Sequence, residues 1–328
     1  MKTYVTKVLA FILAIGLTLC GTAFAAKYKI RLGHTAAPTH HYQDICLQFA
    51  KAVSERTNGE VEISVFPANQ LGKQLESVEG CMYGTQDMIL ASDTVLSNWA
   101  PDMGILNLPF LFNDMWEVRK VLDGPVGDKL GKQFEPLGAV IIGWWENGMR
   151  HITNSKRPIK TPADLDGLKI RVPEGAVFVD TFKALKAGPT VISFGELYSG
   201  LQLGTVDGQE NPPAHILTQK FYEVQKYVSR TGHIHLSSPL VMSKHLLDSL
   251  PDNYRTIILE TAREMGPIHT KMVEDLEKEQ WVEVEKNGMQ IVDVDKTPFK
   301  EAVAPVIAKY KKRLNSEIID EIIETLKK

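Results

Sequence analysis

Two arginines in the middle of the chain have the chemistry to bind an acid. Arg150 comes shortly after an apolar stretch, residues 140–145, and Arg171 lies inside the strand pattern of residues 169–172. Arginine presents a planar fork of N–H donors that matches a carboxylate in two parallel hydrogen bonds. Each such charge-assisted bond contributes roughly 1.5–3 kcal/mol. On spacing alone, however, a surface salt bridge is the better supported of the two roles.

The sequence carries none of the short motifs that mark common catalytic or cofactor sites. A glycine-rich dinucleotide loop, a Walker loop, a nucleophile elbow and an H-E-x-x-H zinc motif are all missing. Asp293 and Asp295 form a D-x-D pair, but a solvated strand end explains this pair better than a metal site. We therefore predict a binding protein and not an enzyme, with no catalytic residue, metal or cofactor.

Alternating strand and helix patterns must position the two arginines. Residues 28–32 alternate polar and apolar side chains, residues 42–57 have helical spacing, and residues 61–65 alternate again. This β-α-β opening predicts an α/β fold with a mixed or parallel sheet.

A long helical stretch follows Pro251, and Pro267 should kink or divide it. Residues 299–322 form a further amphipathic tail. No Pro/Ser-rich or low-complexity linker interrupts the chain. If the chain forms two lobes, several short crossings must join them, because no single tether is present.

The first 25 residues have the pattern of a secretory signal peptide. Two lysines precede the apolar stretch 8–19, and Ala23-Phe24-Ala25 supplies a small-residue site, so cleavage is expected after Ala25. The apolar stretch is too short to span a bilayer comfortably. Cys20 leaves a lipoprotein anchor as the alternative. We expect a soluble periplasmic protein.

The charge balance excludes some partners. With 37 Lys and Arg against 40 Asp and Glu, the chain has no basic excess typical of proteins that bind nucleic acids or membrane surfaces. An anionic ligand must therefore be attracted by local charges. In an oxidising compartment Cys46 and Cys81 could form a disulfide or remain two buried thiols, and the sequence leaves this open.

Several longer motifs are spread along the mature chain. They lie at residues 108–110, 147–154, 157–159, 161–165, 167–173, 196–202, 206–212 and 221–227. These motifs resemble those of the solute-binding proteins of tripartite ATP-independent periplasmic (TRAP) transporters, and they follow the family's order over essentially the whole mature chain.

The resemblance implies a two-lobed α/β periplasmic binding protein with mixed sheets, crossing strands and a long helix that spans both lobes. The expected boundaries are residues 26–147 plus 237–276 for lobe I, and residues 148–236 plus 277–328 for lobe II. Closure of the two lobes would bury the ligand.

The resemblance also assigns roles to individual residues. Arg171 matches the family's principal carboxylate-binding arginine, and Arg150 matches a second arginine that helps to hold the acid group. Asn211 matches an asparagine that donates to the ligand from the opposite side. Phe194 matches an aromatic or apolar wall residue.

Departures from the family pattern bear on the ligand. The sialic-acid branch carries a further arginine after the strand 87–91, where this chain has Ser92-Asp93-Thr94-Val95, so sialic acid is not expected. Glu174 suits ligand hydroxyls better than a second carboxylate. Together with Trp145, Asp93 and His41 as candidate hydroxyl contacts, it favours a sugar acid such as a uronate or an aldonate. For His41, an exposed loop histidine is the simpler interpretation. A C4-dicarboxylate, keto acid or other small carboxylate is the alternative ligand.

The resemblance implies a function in transport. The protein, expected to be a monomer, would capture an organic acid and deliver it to a TRAP membrane permease. A periplasmic enzyme anchored on the same arginine, and a protein that presents its ligand to a receptor, are the alternative classes.

Overall fold

The structure is a computed structural model that describes residues 26–327, so the expected signal peptide and Cys20 lie outside the described residues. Within this range the strands β1 to β11 span Tyr28–His34, Val61–Phe66, Met88–Leu90, Ala139–Met149, His151–Asn154, Lys169–Val172, Gly188–Val191, Gly208–Asn211, Tyr227–Arg230, His235–Ser243 and Gln290–Asp293. The α-helices α1 to α12 of the same range span His41–Arg56, Gln74–Tyr83, Asp93–Leu96, Met115–Leu122, Pro125–Lys132, Ala176–Ala184, Leu197–Gln202, Pro213–Thr218, Lys244–Ser249, Asp252–Lys286, Thr297–Lys311 and Ser316–Lys327.

Lobe I is built on a five-stranded mixed sheet with the order β2-β1-β3-β10-β4. β1 pairs in parallel with β2 and β3, whereas β10 runs antiparallel to β3 and β4. The alternation in β1 buries Ile30 and Leu32 in one apolar core with Ile45 and Phe49 of α1. Fully burying a side chain of this size contributes roughly 1.5–3 kcal/mol, so the period-2 and period-3.6 patterns define the faces that pack together.

Lobe II is built on a six-stranded sheet with the order β11-β9-β5-β8-β6-β7. β8 lies between β5 and β6, antiparallel to the former and parallel to the latter. Its core includes Ile152, Ile170, Phe178 and Phe182. This order places the end of β8 beside the start of β5 and beside the strand that carries Arg171.

Two long antiparallel strands and one helix connect the lobes. β4 and β10 stay paired up to Met149 and His235, and the Arg150 N–H then donates to the Ile234 carbonyl at 2.9 Å. Helix α10 has 35 residues and is therefore about 52 Å long at roughly 1.5 Å per residue. Its Ile258 packs in the core of lobe I, and its Val284 packs in an apolar cluster of lobe II. The expected two-lobed α/β architecture is confirmed.

Pro267 lies inside α10 but does not divide it. A proline in a helix costs about 3 kcal/mol because one hydrogen bond is lost and the ring clashes with the preceding turn. Packing of the helix into a core at each end offsets this cost. The local pattern alone could not show that offset.

The C-terminal tail forms two helices, α11 and α12, with a break at residues 312–315. α11 packs in lobe II through Phe299 and Val303. α12 instead places Ile318 and Ile322 in the lobe I core that holds the apolar side chains of α4 and α5. We therefore propose that residues 316–327 belong to lobe I, whereas the sequence-based boundary placed them in lobe II.

Cys46 and Cys81 are both free and buried, and they lie in two different apolar clusters. Burial raises the pKa of both thiols. The structure therefore favours the second of the two open alternatives, two buried thiols. Among the helices between residues 26 and 327, none is both long enough and apolar enough to cross a membrane.

Candidate functional site

A narrow cleft lies between the two lobes and contains the two arginines. Its cavity measures about 30 Å³, well below the roughly 300–1,000 Å³ of clefts that hold drug-sized ligands. The lobes must therefore separate before a ligand can enter. The residues that line it are Thr35, Tyr42, Gln74, Ser92 and Asn147 from lobe I, Leu236 from β10, and Arg150, Arg171, Pro173, Glu174, Phe194, Asn211 and His215 from lobe II.

Arg171 is a buried cation. The residue is 2% exposed, and its Nε donates to the Ile192 carbonyl at 2.7 Å. Within residues 26–327 it forms no salt bridge with a carboxylate. Burial lowers the pKa of its guanidinium to about 10 even though Glu174 and Glu210 act to raise it, so it is still protonated at neutral pH. A buried charge without a partner is costly, and an anionic ligand would remove that cost.

Arg150, in contrast, already has a carboxylate partner. Its Nε donates to one oxygen of Glu210 at 2.5 Å, and its Nη2 donates to the other oxygen at 2.7 Å. The guanidinium also lies over the ring of Phe178, with 5.6 Å to the centroid. Burial alone would raise the pKa of Glu210, but Arg150 and His233 hold it below its usual range. The charge of Arg150 is thus largely compensated before any ligand binds.

Asn211 and Phe194 both lie in the cleft, but on one wall. Asn211 ends β8, in the same sheet as Arg171, and both residues line the cleft. That Asn211 donates to the ligand from the side opposite the arginines, as the family resemblance implies, stays a prediction. Its Nδ2 donates to Gln209 Oε1 at 2.5 Å. Phe194 packs edge-on against His215, with 5.0 Å between the ring centroids. Glu174, half-buried, lines the same wall. The facing wall must come from lobe I.

Three of the sequence-predicted contacts do not line the cleft. Trp145 is buried in the lobe I core beside Phe49, and its Nε1 donates to the Ala262 carbonyl at 2.8 Å. His41 is buried, whereas the loop pattern suggested an exposed histidine. Its Nδ1 is hydrogen-bonded to His269 Nε2 at 2.6 Å.

Asp93 is the third of these residues, and it holds two segments of lobe I together. Its carboxylate accepts from the backbone N–H and the hydroxyl of Ser237, at 2.9 and 2.6 Å, and from the Asn107 amide at 2.9 Å. Burial raises the pKa of this carboxyl, although these hydrogen bonds oppose the shift. We therefore propose a structural role for Asp93 in place of the expected ligand contact.

This role predicts that Asp93→Ala lowers stability and not affinity. Three buried donors would lose their acceptor, at roughly 1–3 kcal/mol for each group left unsatisfied. We expect a lower free energy of unfolding in urea, with the affinity for a bound acid unchanged in calorimetry. Asp128→Ala, on an exposed helix face, is the matched control. A large loss of affinity in Asp93→Ala, with an unchanged free energy of unfolding, would instead indicate that Asp93 contacts the ligand.

Sequence reasoning missed the lobe I wall. Gln74 accepts from the Ser92 backbone N–H at 2.8 Å, and both side chains line the cleft with Thr35 and Tyr42. These residues come from separate segments, and no local pattern marks them. Asn147 lies in a motif of the family resemblance, and that position could have been found.

Two polar atoms in the cleft are buried without a hydrogen-bond partner in the described part of the chain. They are Asn147 Oδ1, from β4, and His215 Nδ1, from α8. Buried polar atoms are nearly always hydrogen-bonded, so unpaired ones in a cleft mark positions where a ligand can bond.

A larger depression of about 550 Å³ lies on lobe I, where β4 forms the edge of its sheet. It is lined by apolar side chains and by charges of both signs. None of the sequence-predicted site residues lines it.

Comparison with known proteins agrees with this geometry. A family model described as bacterial extracellular solute-binding protein, family 7, matches residues 32–313. The 2,3-diketo-L-gulonate-binding periplasmic protein YiaO of Escherichia coli (strain K12) is 34% identical over 289 residues, which cover 88% of each chain.

Solved structures share the whole fold. A TRAP periplasmic solute-binding protein from Polaromonas sp. JS666, bound to D-erythronate, has a TM-score of 0.87 and 38% identity, and the match covers 90% of this chain and 98% of that one. A second, from Sulfurospirillum deleyianum with bound succinate, has a TM-score of 0.86 and 30% identity, with the same two coverages. A binding function, and not catalysis, follows from these relationships. The chain belongs to family 7 of the bacterial extracellular solute-binding proteins, the solute-binding components of TRAP transporters.

Proposed function

We propose that this protein captures a sugar acid, such as a uronate or an aldonate, in the cleft between its lobes and delivers it to a TRAP permease. The observation that carries the proposal is Arg171, which is buried, protonated at neutral pH and without a carboxylate partner among residues 26–327. A ligand carboxylate would supply the missing charge and two acceptors for the guanidinium fork.

The other polar groups of the cleft favour hydroxyls on the rest of the ligand. In the part of the chain that the structure describes, Asn147 Oδ1 is an acceptor without a donor and His215 Nδ1 lacks a partner, while Glu174 adds a carboxylate to the same cleft as Arg171. Hydroxyl groups can donate to all three. A second ligand carboxylate would instead meet Glu174 while Arg150 is already engaged by Glu210.

The names of similar proteins point in the same direction. One relative is named for 2,3-diketo-L-gulonate and one solved structure holds D-erythronate, and both ligands are polyhydroxy acids. Another structure holds succinate, so a C4-dicarboxylate is the alternative ligand.

Closure of the lobes is the step that couples binding to delivery. The two walls of the cleft come from different lobes, so a ligand between them makes all its contacts only when the lobes are closed. Ligand can shift the equilibrium only by this difference in affinity between the two states. The closed form would be the one that docks on the permease.

The finer points of location and assembly are also proposals. The N-terminal pattern supports export to the periplasm with cleavage after Ala25, which would make Ala26 the first residue of the exported protein. N-terminal sequencing tests this site. We propose that the mature protein is a monomer, and light scattering tests that state.

A thermal-shift screen tests the ligand class. The panel contains D-erythronate, galactonate and D-glucuronate, with succinate, pyruvate and neutral galactose for comparison. A ligand at about 100 times its Kd stabilises the native state by about 2.7 kcal/mol, so a true ligand raises Tm clearly. We expect the largest shift with a sugar acid and none with galactose. A larger shift with succinate would favour the dicarboxylate alternative, and shifts with neutral sugars alone would refute acid binding.

A further inference from the structure

Histidines are concentrated around the cleft and the lobe connections. Of the nine in the chain, eight are buried: His34, His40, His41, His151, His215, His233, His235 and His269. Two of these come from different lobes and stack directly on each other. The ring centroids of His40 and His215 are 4.2 Å apart, with 18° between the planes.

The two rings are fixed from opposite sides of the cleft. His40 precedes α1 in lobe I, and its Nδ1 accepts a hydrogen bond from the backbone N–H of Tyr42 at 3.2 Å. An accepting Nδ1 carries no proton, so this hydrogen bond requires the neutral ring. His215 lies in α8 of lobe II and faces the cleft. Their stack is therefore a direct contact between the lobes.

Among residues 26–327, neither ring of this pair forms a salt bridge or a hydrogen bond with a carboxylate. His40 is faced by His34 from β1, His41 from α1 and His269 from α10, in addition to His215. His215 is faced by His34 and His41 and also by two cations of lobe II, Arg150 and Arg171. The aromatic neighbours Tyr42 and Phe194 are neutral.

Three acidic groups of the region already have partners. Glu210 pairs with Arg150, Glu146 is hydrogen-bonded to His235, and Asp93 is bonded to Ser237. A fourth, Glu174, lines the cleft with Arg171 and His215. Burial lowers the pKa of both His40 and His215 well below the ordinary value, and nearby histidines add to this shift, as do Arg150 and Arg171 for His215.

We propose that the stacked His40 and His215 form a proton-sensitive latch: the neutral rings hold the lobes closed, and protonation of either ring opens the cleft and releases the bound acid. This proposal rests on the proposed function for its effect on the ligand. Its effect on the lobes does not depend on which acid is bound.

The direction of the pH effect follows from linkage. Separation of the lobes parts the two rings, and exposed histidines titrate near a pKa of about 6.5. Because the pKa of each ring is lower in the closed state, closure has its full stability above about pH 6.5 and loses it as the pH falls below that value. One linked proton weakens ligand binding by up to about tenfold per pH unit, and two linked protons by up to about a hundredfold.

The lobe movement can be measured without any ligand. Tyr83 in lobe I and Leu203 in lobe II are 82% and 80% exposed, and Cys46 and Cys81 are buried, so Tyr83→Cys with Leu203→Cys gives two specific spin-label sites in the chain from residue 26 onward. Electron resonance distances at pH 7.5 and 5.5 should show a closed population that decreases on acidification. Circular dichroism at each pH checks that the protein is still folded, so that a change in distance can be assigned to the lobes and not to unfolding.

Two substitutions test the latch itself. His215→Gln removes the titrating ring, and His40→Asn does the same while keeping a side chain that caps a helix well. Each substitution alone should reduce the pH-dependent change in distance and the double variant should abolish it, whereas His245→Gln, at an exposed position, should leave it intact. An open distribution of the native chain already at pH 7.5, or a change that persists in the double variant, would overturn the latch.

Calorimetry with D-erythronate at the same pH values connects the latch to binding. We expect the Kd to rise at least about threefold between pH 7.5 and 5.5 in the native chain and much less in the double variant His40→Asn/His215→Gln. If no sugar acid of the panel binds at pH 7.5, the proposed function fails while the distance measurement still decides on the latch. If D-erythronate binds equally at all pH values, the latch fails and the proposed function stands.

Discussion

Arg171→Ala is expected to weaken binding of a carboxylate ligand by about two to four orders of magnitude. Two charge-assisted hydrogen bonds would be lost, at roughly 1.5–3 kcal/mol each, and 1.4 kcal/mol corresponds to a factor of about ten in Kd. Calorimetry with the best sugar acid of the thermal-shift panel measures the effect directly.

The stability of the ligand-free variant separates a ligand anchor from a structural arginine. Among residues 26–327, Arg171 gives up only one hydrogen bond, from Nε to the Ile192 carbonyl, and no salt bridge. Removing an uncompensated buried charge relieves a cost. We therefore expect the Tm of ligand-free Arg171→Ala to stay unchanged or to rise. A large fall in Tm would support the structural role instead.

Two further variants complete the test. Arg171→Lys keeps the positive charge but loses the planar fork, so its affinity should lie between those of the native chain and Arg171→Ala. Arg313→Ala removes an exposed arginine and should bind as the native chain does. Native-like affinity in Arg171→Ala would refute the anchor.

Much of the fold could be predicted from the sequence, because the apolar residues recur with the periods of strands and helices. Alternation in β1 and helical spacing in α1 select the two faces that meet in the lobe I core, and the structure pairs those faces. Local rules carry no information about tertiary packing, and tertiary packing decides what happens at Pro267 and in the tail. The helix that contains Pro267 is not divided, and α12 packs in the same apolar core as α4 and α5.

The candidate site could be predicted only in part from the sequence, because its residues come together through tertiary structure. Arg171 and Arg150 have similar local contexts in the sequence. Only the structure shows that the charge of Arg150 is compensated by Glu210, which lies 60 residues further along the chain. Polar type alone placed Asp93 and His41 in the cleft, although both are used in buried hydrogen bonds within lobe I. The position at which the two lobes meet decides which polar side chains face the cleft. No local pattern in a single sequence shows where the lobes meet.

Glu210→Ala should be among the most destabilising single changes in the chain. Glu210 and Arg150 are both buried, with side chains 0% and 3% exposed, and loss of one partner leaves the other as an uncompensated charge. Breaking a buried ion pair in this way costs about 3–5 kcal/mol, which is a large part of the stability of a typical domain. Urea denaturation of the ligand-free protein measures the loss.

A double variant distinguishes the ion pair from the packing around it. Arg150→Met combined with Glu210→Gln removes both charges at similar volume, so it should recover much of the stability that Glu210→Ala loses. If the double variant still binds a sugar acid, Arg171 is sufficient as the anchor and the Arg150–Glu210 pair mainly supports the cleft wall. A loss of less than about 1 kcal/mol in Glu210→Ala would contradict the buried pair, because this is the range of exposed salt bridges.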